Sequence, residues 1–229
     1  MKSAKKNKVG FIGLGIMGKP MVINLINNDI EVYFYARKKR IIDEILKIGG
    51  KFIPNPSDIS KFTKIILTNL PNTKDVEDIV IGKNGIINNL QTGSIVIDMS
   101  TISPEGTRYI NDKLRARKSY LLDAPVSGGT KGAENGSLAI MVGGNSSVFN
   151  KVEDAFKPLG RAVFVGPVGS GQLAKLANQA IVAITIGAVA EATLLLEEGG
   201  ADVGAVRVAL VGGFADSTIL QQHGKAQTQ

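Results

Sequence analysis

A chain of 229 residues makes one large domain, or an ordinary domain with an appendage, and buries roughly 70% of the surface its unfolded form exposes, so no disulfide or structural metal is required. The absence of cysteine and the single histidine, His223, exclude thiolate nucleophiles, iron–sulfur clusters and Cys-based zinc sites, and no metal is expected. The net charge of +7 comes from 27 basic against 20 acidic side chains, and part of it lies in the lysines between Met1 and Lys8, a tail read as a solvated end because it lacks the arginines and apolar face of a presequence.

Through the first two thirds, short apolar runs alternate with segments of helical period, the pattern of strand–helix units around a mainly parallel sheet. The chain is predicted to open with a strand at Lys8 to Ile12, a helix at Met17 to Asn27, a strand at Glu31 to Tyr35 and a helix at Ile41 to Ile48. A strand at Lys64 to Asn69, a helix at Thr73 to Val80, a strand at Ser94 to Asp98 and a helix at Pro104 to Arg117 follow, Pro104 suiting a first helical turn after Ser103. Strands at Tyr120 to Asp123 and Leu138 to Val142, a helix at Ser146 to Lys157 and a strand at Ala162 to Val165 complete this part.

The sequence changes character after Gly166-Pro167-Val168-Gly169-Ser170-Gly171. A run from Gln172 to Glu198 reads as one helix, about 40 Å long at 1.5 Å per residue, and only one further short helix, Val203 to Leu210, precedes a polar tail ending Lys225 to Gln229. The domains are therefore placed at 1–168 and 169–229. The stretch Ala180 to Leu196 carries Glu191 and follows Lys175, Asn178 and Gln179, so it is read as a buried helix of a soluble cytoplasmic protein and not as a membrane span. Its apolar residues, including Ile181, Ile184, Ile186, Val189, Leu194 and Leu196, occupy more than one face, which implies burial against a second copy in a homo-oligomer.

Gly13-Leu14-Gly15-Ile16-Met17-Gly18 is a GxGxxG run placed directly after an apolar strand and before an amphipathic helix. The first two glycines permit a tight turn and close approach of backbone to a pyrophosphate, the third lets helix and strand pack, and the helix N-terminus favours phosphate charge. NAD-binding versions of this unit end the second strand on an Asp or Glu that bonds the ribose hydroxyls. Here that position is Ala36, followed by Arg37, Lys38, Lys39 and Arg40, so the carboxylate that would repel a 2′-phosphate is missing and cations that could grip one are present. NADP is the expected cofactor in preference to NAD, with Ala36, Arg37 and Lys38 at its adenosine end.

Two more segments bear chemistry. Asp123-Ala124-Pro125-Val126-Ser127-Gly128-Gly129 places small residues after a strand, where backbone N–H groups and the Ser127 hydroxyl can form a concavity suited to a carboxylate. Gly171 to Gln179 sets Lys175, Asn178 and Gln179 at i, i+3 and i+4, on one helix face. A lysine in an otherwise apolar helix is costly to bury without partners or a role, and the nearby positive end of the helix dipole makes its ammonium easier to deprotonate.

Together these segments resemble the β-hydroxyacid dehydrogenase family. The likeness runs in order through Phe11 to Gly18, Leu70-Pro71-Asn72-Thr73, Asp98-Met99-Ser100-Thr101, Asp123 to Gly129 and Gly171 to Gln179. It implies a Rossmann-type dinucleotide-binding domain of α/β class, then a long interdomain helix and an all-helical C-terminal domain, here shorter than the family's. It implies that Leu70, Pro71 and Thr101 line the cofactor, that Ser127, Gly128 and Gly129 hold a substrate carboxylate, that Lys175 is the general acid/base, and that Asn178 or Gln179 orients the substrate hydroxyl. The expected reaction is hydride transfer between a nicotinamide and a small β-hydroxyacid or semialdehyde. The alternative is a catalytically impaired form that binds NADP(H), since further family helices are missing and the last residues depart from family sequence. His223 lies in the tail, against a His-based dehydrogenase, and the basic residues form no continuous face, so no nucleic-acid partner is expected.

Overall fold

The computed structural model describes residues 7–223, with side chains through residue 221; Lys2, Lys5, Lys6 and the tail Lys225 to Gln229 lie outside the described residues. The chain divides into two compact units, residues 1–175 and 176–229.

The first unit is built on strands β1 (Lys8–Ile12), β2 (Glu31–Tyr35), β3 (Lys51–Phe52), β4 (Ile65–Thr68), β5 (Ile95–Asp98), β6 (Tyr120–Asp123), β7 (Val126–Ser127), β8 (Leu138–Gly143) and β9 (Gly160–Gly166). They form one sheet in the order β3-β2-β1-β4-β5-β6-β8-β7, with β9 added on β8. The block from β3 to β6 is parallel throughout. Strand β8 turns antiparallel to β6 and β7, while β9 pairs parallel with β8.

Alternation along the strands produces two apolar layers, because successive side chains point to opposite faces. Phe11, Phe34, Leu67, Ile97 and Leu122 join one cluster. Their neighbours Ile12, Tyr33, Ile66, Val96 and Leu121 join the other. The helices α1 (Gly18–Asn27), α5 (Gly129–Asn135) and α6 (Ser146–Phe156) cover the first layer through residues such as Met21, Leu25, Ala133, Val152 and Phe156. Helices α3 (Thr73–Val80) and α4 (Pro104–Ala116) cover the second through Val76, Val80, Ile110 and Leu114. Helix α2 (Lys39–Lys47) contributes Ile45 to the first cluster.

Several short elements go beyond the sequence reading. The two-residue strands β3 and β7 carry too little pattern to register, and the 3₁₀ turn at Pro56–Lys61 is closed by Asn55 accepting from Ser57 N at 3.2 Å. The segment read as a small-residue turn after Ser127 continues as helix α5, with sequence GTKGAEN. No apolar period marks it. It is held from outside, where Asn24 Nδ2 on α1 donates to Ala133 O at 2.8 Å and to Glu134 O at 3.3 Å.

Helix α7 (Ser170–Glu198) begins in the first unit and is the longest element of the second, which also holds α8 (Val203–Leu210) and α9 (Thr218–His223). Two short helices therefore follow α7 where one was expected. Helix α7 has 29 residues and a window of mean hydropathy 1.9, enough by length and composition to cross a membrane. The expected burial is not supplied within this chain: Ile181, Ile184 and Leu195 are 66%, 72% and 75% exposed, because the apolar residues circle the helix and nothing among the described residues covers them. Within α8 the Asp202 side chain accepts from Ala205 N at 3.0 Å and closes the helix start.

Candidate functional site

The strand registers bring the motif ends into one row. Ile12 pairs with Tyr35 and with Thr68, Thr68 with Asp98, and Asp98 with Asp123. Each chemistry-bearing loop leaves the sheet just past that row, at the carboxyl ends of β1, β2, β4, β5 and β6. In open α/β sheets this edge, where the strand order reverses on either side of β1, is where ligands bind.

The glycine loop follows β1. Gly13 has φ +105°, and a Cβ there would stand 2.1 Å from Asn69 O, so the loop lies directly on the chain leaving β4. Leu14 is buried while Ile16 is 80% exposed, and Met17 precedes α1. A Cβ on Gly18 would stand 2.0 Å from Gly13 O, so the helix start packs directly on the loop. A Cβ on Gly15, by contrast, would meet nothing within 4 Å. That open approach is the space a pyrophosphate needs to reach the backbone.

The helix starts reinforce this difference. Asn72, Ser103 and Asn145 cap α3, α4 and α6 by accepting from a backbone N–H. Helices α1, α2 and α5 start at Met17, Lys38 and Gly128 with no side-chain cap. The first N–H groups of a helix have no intrahelical partner, so these three starts offer donors and positive dipole ends to a ligand. They follow the glycine loop, the basic turn and Ser127.

At the basic turn, Ala36 is buried and Arg37 and Lys38 are exposed. Lys39 and Arg40 pair along α2 with Asp43 at 3.2 Å and Glu44 at 3.4 Å, whereas Arg37 and Lys38 enter no ion pair among the described residues. The two cations nearest the strand end are thus uncommitted. The set fits a dinucleotide: neutral Ala36, free Arg37 and Lys38, an uncapped α1 and an open face at Gly15.

Leu70, Pro71 and Thr101 sit on the neighbouring loops. Leu70 N donates to Ser100 Oγ at 2.8 Å, and Ser100 Oγ donates to Asp98 Oδ1 at 2.6 Å. Thr68 Oγ1 donates to the same oxygen at 2.8 Å. Asp98 is wholly buried, its Oδ2 has no partner among the described residues, and burial raises its pKa to about 6 against the pull of the Ser100 and Thr68 hydroxyls.

Asp123, next to Asp98 in the sheet, caps α7. Its Oδ1 accepts from Gly169 N at 2.8 Å and its Oδ2 from Gln172 N at 3.0 Å. Burial raises its pKa as well, opposed by these backbone bonds. Gln172 is 1% exposed, and its Nε2 donates to Ser100 O at 2.9 Å while its Oε1 accepts from Ile102 N at 3.2 Å. Lys175 follows one turn later, half-buried and with no ion pair among the described residues; burial lowers its ammonium below the usual lysine range. Further along the helix Asn178 is half-buried, Gln179 is exposed, and Asn178 Nδ2 donates to Gln179 Oε1 at 3.0 Å. Ser127 ends β7, Gly128 links it to α5 and Gly129 opens that helix, both glycines at positive φ.

The structure thus brings the glycine loop, the basic turn, Leu70, Thr101 and the α7 start to one sheet edge. Sequence reasoning missed Asp98, Ser100, Asp123 and Gln172 as a connected group. A carboxylate ending an apolar strand was a usable signal for the two aspartates, since buried Asp is rare; Gln172 carried none.

Comparison with known proteins places the fold and motifs among dehydrogenases. Residues 8–168 match the NAD-binding domain of 6-phosphogluconate dehydrogenase, and residues 169–228 match the NAD-binding region of NADP-dependent 3-hydroxyisobutyrate dehydrogenase. The chain is 42% identical to 2-hydroxy-3-oxopropionate reductase of Escherichia coli over 95% of its own length and 75% of that protein's. It is 37% identical to 2-(hydroxymethyl)glutarate dehydrogenase of Eubacterium barkeri over 83% of its length and 64% of the relative's. Among solved structures, 3-hydroxyisobutyrate dehydrogenase of Mycobacterium tuberculosis with L-serine aligns with a TM-score of 0.88 at 27% identity, covering 95% of this chain and 74% of that one.

Proposed function

The chain belongs to the β-hydroxyacid dehydrogenase family, and from that premise we propose that it is an NADP-dependent oxidoreductase of small β-hydroxyacids or semialdehydes with Lys175 as general acid/base. The observation that carries this reading is the single sheet edge at which an open glycine loop, an uncommitted basic turn and the half-buried lysine helix all emerge. The name of the Mycobacterium relative's bound molecule supports the substrate class, because L-serine is a carboxylate with a β-hydroxyl.

Gly13, Gly15 and the start of α1 hold the pyrophosphate, Arg37 and Lys38 grip the 2′-phosphate, and Leu70, Pro71 and Thr101 line the cofactor. When bound, the nicotinamide supplies or receives the hydride. Ser127, Gly128 and Gly129 anchor the substrate carboxylate, with backbone N–H groups at the uncapped start of α5 as donors. Lys175 Nζ gives a proton to the substrate carbonyl oxygen in reduction and takes it back from the hydroxyl in oxidation. Burial aids this, because a lowered ammonium pKa lies closer to working pH. Asn178 or Gln179 orients the hydroxyl.

A second copy covers the apolar faces of α7 in a homo-oligomer. The match of residues 169–228 to a dehydrogenase region supports reading α7 as an element of a soluble enzyme's helical domain and not as a membrane span.

The test is a reductase panel of glyoxylate, succinic, tartronate and methylmalonate semialdehydes with NADPH and with NADH. Turnover with NADPH is expected, and Arg37→Asp is expected to weaken NADPH by one to two decades, equivalent to about 1.5 to 3 kcal/mol for a charge-assisted phosphate contact. Binding of NADPH without turnover of any substrate would favour the impaired form. Equal or tighter binding of NADH by the unaltered chain would overturn the NADP assignment.

A further inference from the structure

Two loops that the proposed function treats separately are joined by one buried side chain. The segment Ser100 to Ile102, which includes cofactor-lining Thr101, and the first turn of α7, which leads into Lys175, are both held by Gln172. Its amide donates to Ser100 O at 2.9 Å and accepts from Ile102 N at 3.2 Å, satisfying one backbone group on each side of Thr101. Its own backbone N–H is fixed by Asp123 Oδ2 at 3.0 Å. Ser100 is fixed in turn, since its hydroxyl donates to Asp98 and accepts from Leu70 N. A continuous chain of hydrogen bonds therefore runs from Leu70 through Ser100 and Gln172 to the turn before Lys175. All of its members but Leu70 are buried. A side chain 1% exposed that spends both ends of its amide on one loop is expensive to replace, since each backbone group it satisfies would be left without a partner.

We propose that Gln172 is a positioning residue that sets the register of Lys175 against the cofactor-lining loop at Ser100 to Ile102. The proposal rests on the reading of Lys175 as the acid/base group. Gln172 itself touches neither substrate nor cofactor; it acts through the helix turn and the loop. Loss of its amide frees the start of α7 to shift relative to Thr101, and Lys175 then exchanges a defined, partly desolvated position for a more solvated one.

The variant is Gln172→Met, close in volume and without the amide. In the cofactor-free chain, Lys175 is followed by competitive acylation across a pH series, each lysine quantified by mass spectrometry. The expected result is a Lys175 titration midpoint below the ordinary lysine range in the parent, moving to that range in the variant. With NADPH and substrate, kcat per folded molecule is expected to fall at least tenfold, more than the Kd for NADPH changes.

If Gln172→Met does not fold, Gln172→Glu takes its place. Its neutral acid can restore both bonds, so its kcat relative to the parent rises as pH is lowered. A folded Gln172→Met chain with an unmoved Lys175 midpoint and undiminished kcat, or a Gln172→Glu ratio that is flat with pH, would overturn the proposal. Undiminished turnover in Lys175→Ala would instead overturn the acid/base reading, and the acylation midpoint would still decide whether Gln172 positions that helix turn.

Discussion

The two ends of the same sheet treat carboxylates in opposite ways. At the amino end, Glu31 opens β2 between Lys51, 2.8 Å away, and Lys8, 3.5 Å away, and also accepts from the Tyr33 hydroxyl. The Lys51 hydrogen bond, aided by Tyr33, lowers its pKa to about 2. At the carboxyl end, Asp98 and Asp123 close β5 and β6 side by side, buried and without a paired cation among the described residues, and burial raises both. Their charge is met by hydroxyls and backbone N–H groups alone. The amino end is arranged for stability. The carboxyl end accepts a cost in stability so that two loops and a helix start meet where a ligand would sit.

The largest expected effect falls at that costly end. Lys175→Ala should lower kcat by roughly 10² to 10⁴, the usual range for a general acid–base group, while leaving NADPH affinity nearly unchanged. Steady-state kinetics beside a cofactor titration checks both parts. A variant that keeps most of its kcat would remove the functional reason for tolerating the buried aspartates.

Asp98→Asn should sharpen the comparison by removing one buried charge while keeping an oxygen for Ser100 and Thr68. A carboxyl whose folded pKa is raised from 3.8 to about 6 is fully stabilising only below the unfolded value, and that contribution is lost as pH rises through the folded one. The variant should therefore match the parent near pH 3.5 and exceed it above pH 6, by about 1 to 3 kcal/mol from roughly two units at 1.36 kcal/mol each. Urea titrations at several pH values measure this gap. A parent that is more stable than the variant at pH 7 would show that the charge at Asp98 is favourable.

Glu31→Gln should give a smaller effect of opposite sign. The lowered pKa means a contribution present above about 4.5 and lost as pH falls toward about 2. Partly exposed ion pairs contribute little, so the variant should lose about 1 kcal/mol or less at pH 7 and converge with the parent at pH 2. The same titrations decide it, and a gap that persists at pH 2 would mean that packing of Tyr33 against Phe62, with centroids 4.9 Å apart, carries the difference.

Legibility in the sequence followed the range of the interactions. The bounds of β1, β2 and β6 were read directly because an apolar run ended by Gly, Ala or Asp is a local signal. The glycine loop and the basic turn were legible for the same reason, their residues being neighbours in the chain. Helix α7 begins at Ser170, two residues before its predicted start, because its cap is Asp123, more than forty residues earlier. Helix α5 was missed because its support comes from Asn24 on another helix. The link from Ser100 to Gln172 joins residues 72 apart and has no local trace. The compact first unit extends through residue 175 because the first turn of α7 is fastened back to the sheet by Asp123.

The claim that the carboxyl edge is a dinucleotide site is tested most directly at Gly15, where an added side chain would meet no protein atom within 4 Å. The measurement is NADPH affinity of Gly15→Val by fluorescence titration, with its melting temperature recorded alongside. The account predicts an unchanged melting temperature and binding weaker by about two decades, equivalent to about 2.7 kcal/mol, because the new side chain fills the approach of the pyrophosphate. An equally stable variant that binds NADPH as tightly as the parent would contradict it.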